Sequence, residues 1–148
     1  MKKFSFSLDP VLNYKQQVLD SLLAEHGAIL AQVRRQEEAL ARAEEGYSLL
    51  NAEFCERKLT GITIAQAITY ENGLRALERD IERETQKLLA LRRAEEAKRA
   101  EVVAARQGTQ SLEKLREKKL AAYNKQVQKS DEAFIDELVS AAHATAGL

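Results

Sequence analysis

The chain has 148 residues with 23 basic and 23 acidic side chains, so its formal charge is zero, a balance that argues against nucleic-acid binding. A single Cys excludes a disulfide framework and a cysteine-rich zinc module, four Tyr and four Phe without Trp leave a compact core thin, and no apolar run approaches the roughly 18 residues of a membrane span. Ala, Leu, Glu, Arg and Lys supply 84 of the 148 residues, the composition of long helices, and there is one Pro.

The first eight residues alternate, with Phe4, Phe6 and Leu8 separated by Ser5 and Ser7, which reads as extended chain and not as a secretory leader. Asp9-Pro10 starts a helix, the Asp as acceptor for free N–H groups and the Pro at a first-turn position. Nothing stops that helix before about Lys58, since Gly27 and Gly46 each cost only about 1 kcal/mol relative to Ala. Residues 59–63, Leu-Thr-Gly-Ile-Thr, interrupt it: Gly61 can take the left-handed conformation that closes a helix, and Thr63 with Gln66 forms a capping box for the next. The second helix runs from 64 to about 140, with a soft spot at Gly108-Thr109, and residues 141–148 read as a frayed tail. At ~1.5 Å per residue the helices span about 73 Å and about 110–120 Å, too long for elements of a compact domain. A short joint between two such helices predicts an all-α, two-helix antiparallel coiled-coil hairpin with the C-terminal helix the longer, one structural unit over residues 1–148.

Helix 1 carries a 3-4 spacing from Leu12 to Phe54 with Leu19, Leu22, Ile29, Val33, Leu40, Ala43, Tyr47 and Leu50, interrupted by Lys15, His26 and Gln36. Helix 2 carries the same spacing from Tyr70 to Leu112 with Leu74, Leu77, Ile81, Leu88, Leu91, Val102 and Ala105, interrupted by Glu84, Glu95, Lys98 and Thr109. This is a heptad seam. A fold-back at Gly61-Ile62 pairs residues whose numbers sum to about 124 and sets most apolar layers against apolar layers. It sets Lys15 against Thr109 and His26 against Lys98, and leaves Ile29–Glu95, Gln36–Leu88 and Leu40–Glu84 mixed. Because the seam closes within one chain, the expected state is a monomer.

Beyond about Leu120 the second helix outruns the first, apart from what Phe4, Phe6 and Leu8 cover. Its apolar stripe continues through Leu120, Tyr123, Val127, Phe134 and Leu138, and an uncovered stripe calls for a partner. Residues 111–130 carry six basic and two acidic side chains, net +4, whereas residues 131–148 carry Asp131, Glu132, Asp136 and Glu137, net −4. The run Lys114, Arg116, Lys118 and Lys119 reads as a solvated face or as a contact for an acidic surface.

No catalytic constellation appears. There is no phosphate loop, His26 lies in the seam as a register-setting residue, and His143 is far from it in sequence. Cys55 beside Phe54 reads as a partly packed, inert thiol, because no His is near. Adjacent acids such as Glu37-Glu38 diverge on a helix, and Glu38–Arg42, Glu53–Arg57, Glu71–Arg75 and Glu95–Arg99 read as helix-supporting pairs. The chain is expected to be no enzyme, with no catalytic residue, cofactor or metal.

Several segments together resemble the flagellar type III export protein family FliJ. They are Phe6-x-Leu8-x-x-Val11-Leu12 at the start, then Gly61-Ile62, Tyr70 and Leu74-x-x-Leu77-Glu78-x-x-Ile81-Glu82. Leu112-Glu113-x-Leu115-x-Glu117-Lys118 and Asp136-Glu137 follow near the end. The similarity extends over nearly the whole chain. It implies a cytoplasmic coiled-coil stalk, peripheral to the membrane export gate, that binds and stimulates the hexameric export ATPase and contacts the cytoplasmic domain of the gate. Carried over position by position, the ATPase contact falls on Phe6, Leu8, Leu115, Lys118, Asp136 and Glu137, and the gate contact on Tyr70 and Leu77. The chain has Gly73 where the family can place an aromatic after that Tyr. Export chaperones are further partners implied by the resemblance. Three other readings stay open: a coiled-coil chaperone or adaptor for export substrates, a stalk of a virulence-type secretion system, and a self-assembling scaffold.

Overall fold

The computed structural model describes residues 2–147. Helix α1 spans Asp9–Thr60 and helix α2 spans Ile64–Ala146, antiparallel to it, so the fold is the expected two-helix hairpin with the second helix longer. Residues 2–8 have no helix or strand.

The turn is built as its residues dictate. Gly61 sits at φ +107°, where a side chain would be strained, and its N–H donates to the Arg57 carbonyl at 2.9 Å to close α1. The Thr63 hydroxyl accepts from the Gln66 N–H at 3.2 Å while the Gln66 side chain accepts from the Thr63 N–H at 3.2 Å, a complete capping box. At the other end of α1 the expected cap is different. Asp9 is itself the first helical residue, the Leu8 carbonyl accepts the first bond from Leu12 N–H at 2.8 Å, and the Asp9 carboxylate accepts from Arg116 Nε at 3.1 Å instead. Helix α2 passes through Gly108-Thr109 without a break and continues six residues past 140, because Ala141, Ala142, Ala144 and Ala146 favour helix. Leu148 lies outside the described residues, as does Met1.

The chain divides into two compact units. The first comprises Met1–Asp20 with Val103–Leu148, and the second Ser21–Val102. In the second unit the seam positions of both helices are buried or half-buried throughout, with Val33, Phe54, Leu88 and Val102 the most enclosed of the apolar ones. Phe54 meets Tyr70 edge to face, centroids 5.1 Å apart, and Leu50 packs over Gly73, where an added Cβ would lie 3.0 Å from its methyl. These contacts fix the register expected from the fold-back. Tyr70 donates to Glu53 at 3.0 Å, which takes Glu53 away from its anticipated helix partner Arg57.

The polar seam residues of this unit do not face one another straight across. His26 Nε2 lies 2.9 Å from Glu95 Oε1, one layer aside, and Gln36 Nε2 donates to both the backbone carbonyl (3.0 Å) and the carboxylate of Glu84. Lys98 instead reaches outward to Glu25 at 2.8 Å. The mixed layers are thereby resolved: each buried polar group finds a polar partner diagonally, which avoids the cost of an unpaired one.

In the first unit, Leu12 is buried and Leu112 half-buried, and Lys15 is exposed with its amine above Gly108. Thr109 is buried there, and its hydroxyl has no hydrogen-bond partner among the described residues. Residues 2–8 then lie against α2 as a strap.

Candidate functional site

The strap follows from its alternating sequence. Phe6 is only 5% exposed and anchors it, while Ser5 and Ser7 face out. Phe4 packs on Tyr123, centroids 5.6 Å apart, and the guanidinium of Arg116 sits 5.5 Å over the Phe4 ring. The Tyr123 hydroxyl donates to the Lys2 carbonyl. Between strap and helix runs a groove of about 940 Å³ lined by Phe4, Phe6, Leu8, Leu115, Lys119 and Tyr123, with Lys2 and Lys3 at its rim.

The described strap reaches Tyr123, and the groove ends at Gln126. Every described residue from 131 to 147 is exposed, although the helix continues to Ala146. Phe134, Ile135, Leu138 and Val139 are 61%, 56%, 54% and 50% exposed and form one apolar face at steps of one, four and five. Asp131, Glu132, Asp136 and Glu137 surround it.

Of the residues carried over for the ATPase contact, the structure gathers three. Phe6, Leu8 and Leu115 line the same groove, Phe6 with its ring buried and Leu115 36% exposed. Lys118 is exposed outside the groove, and Asp136 and Glu137 lie several turns further along α2. In the second unit Tyr70 and Leu77 are half-buried seam residues; Leu77 packs against the helix at Gly46, and Tyr70 presents its hydroxyl to Glu53.

Sequence reasoning passed over the apolar side chains beside the turn. Leu59, Ile64, Ile68 and Leu49 are all exposed, Leu59 and Ile64 at 89% and 82%. They fall outside the 3-4 spacing, which was the signal available. Cys55 is exposed and not partly packed, because one step of about 100° from the inward-facing Phe54 turns it to solvent.

The electrostatics of the second unit are local. The His26 hydrogen bond, helped by Arg99 with Nε at 3.0 Å, holds the Glu95 carboxyl below its ordinary range against the opposing effect of burial. Lys98, between Glu101 and Glu25 at 2.8 Å each, is pushed up to about 12, chiefly by its bond to Glu101. These groups pair with one another, and Glu95 and Arg99, with Leu30, Val33, Arg92 and Glu96, also line a small open cavity of about 290 Å³. No group of three or more His, Cys, Asp or Glu that could hold a metal occurs among the described residues, and no helix is long and apolar enough to cross a membrane.

A family model described as flagellar FliJ protein matches residues 4–148. No curated protein and no solved structure matches the chain significantly. The match spans the strap, both helices and the exposed C-terminal face, so the chain belongs to the flagellar FliJ protein family and is a component of flagellar protein export.

Proposed function

We propose that this chain is the non-enzymatic stalk of the flagellar type III export apparatus, binding and stimulating the hexameric export ATPase and linking it to the export gate. The observation that carries the reading is the uncovered end of α2, an apolar face of Phe134, Ile135, Leu138 and Val139 ringed by carboxylates. A solitary helix of this length is marginal in water, and a partner that buries the face supplies what the chain itself does not. The reading assigns the contact to Leu8, Leu115, Lys118, Asp136 and Glu137, with the buried Phe6 holding the strap from inside. The mechanism is coupling by binding: the chain favours one state of the ATPase cycle and leaves the chemistry to its partner. The gate contact falls on the second unit at Tyr70 and Leu77, and the setting is the cytoplasm beside the membrane gate.

The test is the ATP turnover of the cognate hexamer with full-length chain and with a truncation after Arg116. The truncated chain should stay helical and lose stimulation. Equal stimulation by both would move the contact elsewhere.

A second reading, a chaperone or adaptor for export substrates, is favoured by the exposed Leu59, Ile64 and Ile68 beside the turn. It is distinguished by stoichiometric capture of an unfolded client, lost on Leu59→Ser with Ile64→Ser, with ATP turnover unaffected.

A further inference from the structure

The first unit carries two surfaces of opposite character. One is the groove between strap and helix, apolar inside and edged by Lys2, Lys3 and Lys119. The other is the face of Phe134, Ile135, Leu138 and Val139, apolar in the middle and edged by Asp131, Glu132, Asp136 and Glu137. Each is what the other lacks: an open apolar slot with a positive rim, and an exposed apolar ridge with a negative one. They cannot meet within one molecule. Residues 119–139 belong to one continuous helix, and the 14 helical steps from Ala122 to Asp136 separate the two surfaces by about 21 Å along its axis.

We propose that the α2 end of one copy, residues 131–147, docks in the strap groove of a second copy of this chain, and that the contact is reciprocal. Two antiparallel α2 helices place each end beside the other's groove, so the same contact forms twice and the assembly closes as a two-fold dimer. Phe134 and Leu138 enter between Phe4, Leu8 and Leu115, and Asp136 and Glu137 approach Lys3 and Lys119. The intramolecular hairpin is untouched, since neither surface belongs to the heptad seam. The inference goes beyond the ATPase contact and does not depend on it, because association is read on the isolated chain. A chain paired in this way has its α2 end occupied, so dimer and any other partner of residues 131–147 exclude each other.

The experiment is light scattering behind size exclusion over a range of loading concentrations, with the full chain. The mass should rise from one copy toward two with concentration, and less at high salt, which screens the rim charges. Leu138→Asp should weaken association by about tenfold or more. Lys3→Glu with Lys119→Glu should weaken it as well, and so should Asp136→Lys with Glu137→Lys. All these positions except Leu138 are exposed charges, so circular dichroism should not change. The deciding variant joins both charge reversals in one chain, which restores opposite rims and should restore the dimer. A mass of one copy at every concentration overturns the proposal. So does a dimer that tolerates reversal of the lysines, which would mean that ends pair with ends, or a combined reversal that fails to rescue.

Discussion

The two units cover the same helix, α2, in different ways. In the unit Ser21–Val102, α2 is matched along its length by α1, and its seam is buried or half-buried at every heptad position from Tyr70 to Val102. In the other unit, α1 covers α2 as far as the Asp9–Arg116 pair; a strap of seven residues carries cover on to Tyr123, and residues 131–147 are all exposed among the described residues. The difference separates two tasks. A helix laid on a helix buries apolar side chains along a continuous seam and fixes register. An extended strap buries one ring, leaves a groove beside it, and gives way to an apolar face that only another molecule can cover.

The sharpest way to test that difference is to remove one buried ring from each unit. Phe54, 3% exposed and packed on Tyr70 with Lys58 3.9 Å from its ring centroid, is a full seam residue. Phe54→Ala should cost about 3–5 kcal/mol in urea unfolding followed by circular dichroism. Phe6→Ala removes as large a ring but releases only the strap. Its expected signature is faster amide exchange over residues 115–127 with little change in total helicity. If Phe6→Ala unfolded the protein as Phe54→Ala does, the strap would be part of the core and the contrast would fail.

The same contrast marks what the sequence could convey. The seam in the second unit was readable because a heptad repeat states which residues face inward, and the fold-back at Gly61 then fixes their partners. Diagonal pairing was not readable: a layer count sets His26 opposite Lys98, whereas the side chain reaches Glu95, since long polar side chains bridge layers and a buried carboxylate needs a donor. The strap was legible as alternating residues, but not that Tyr123 would bind a backbone carbonyl, because that depends on where the chain enters α1. Of the exposed apolar side chains, those of the stripe beyond Leu120 announced themselves by spacing. The apolar residues at the turn did not, because position in space and not periodicity exposes them.

The pH response should belong to the second unit. Glu95 is held below its ordinary range by His26 and Arg99, so its carboxylate adds stability above the unfolded-state value of about 4.3 and loses it as pH falls through the folded value. Glu95→Gln keeps the shape and removes the charge. The stability difference between native chain and variant should therefore be largest near neutrality and should shrink in acid, measured as urea midpoints over a pH series. A difference independent of pH would mean that Glu95 acts through packing alone.

The smallest effect concerns polar residues placed in the seam. In the second unit each has a partner: His26 with Glu95, Gln36 with Glu84, Lys98 with Glu25 and Glu101. In the first unit Thr109, 4% exposed, has none among the described residues, because the residue opposite is Lys15, whose amine extends over Gly108 toward solvent. A buried hydroxyl without a partner costs about 1 kcal/mol or more relative to an apolar group of the same shape. Thr109→Val keeps the branched form and removes the hydroxyl, so it should stabilise the protein by about 1 kcal/mol, seen as a higher urea midpoint with an unchanged slope. Gln36→Leu, also polar to apolar at a seam position, should destabilise instead, because it leaves the Glu84 carboxylate without its donor. Opposite signs for the two substitutions follow only if polar satisfaction differs between the units; equal signs would mean that apolar content alone governs the seam.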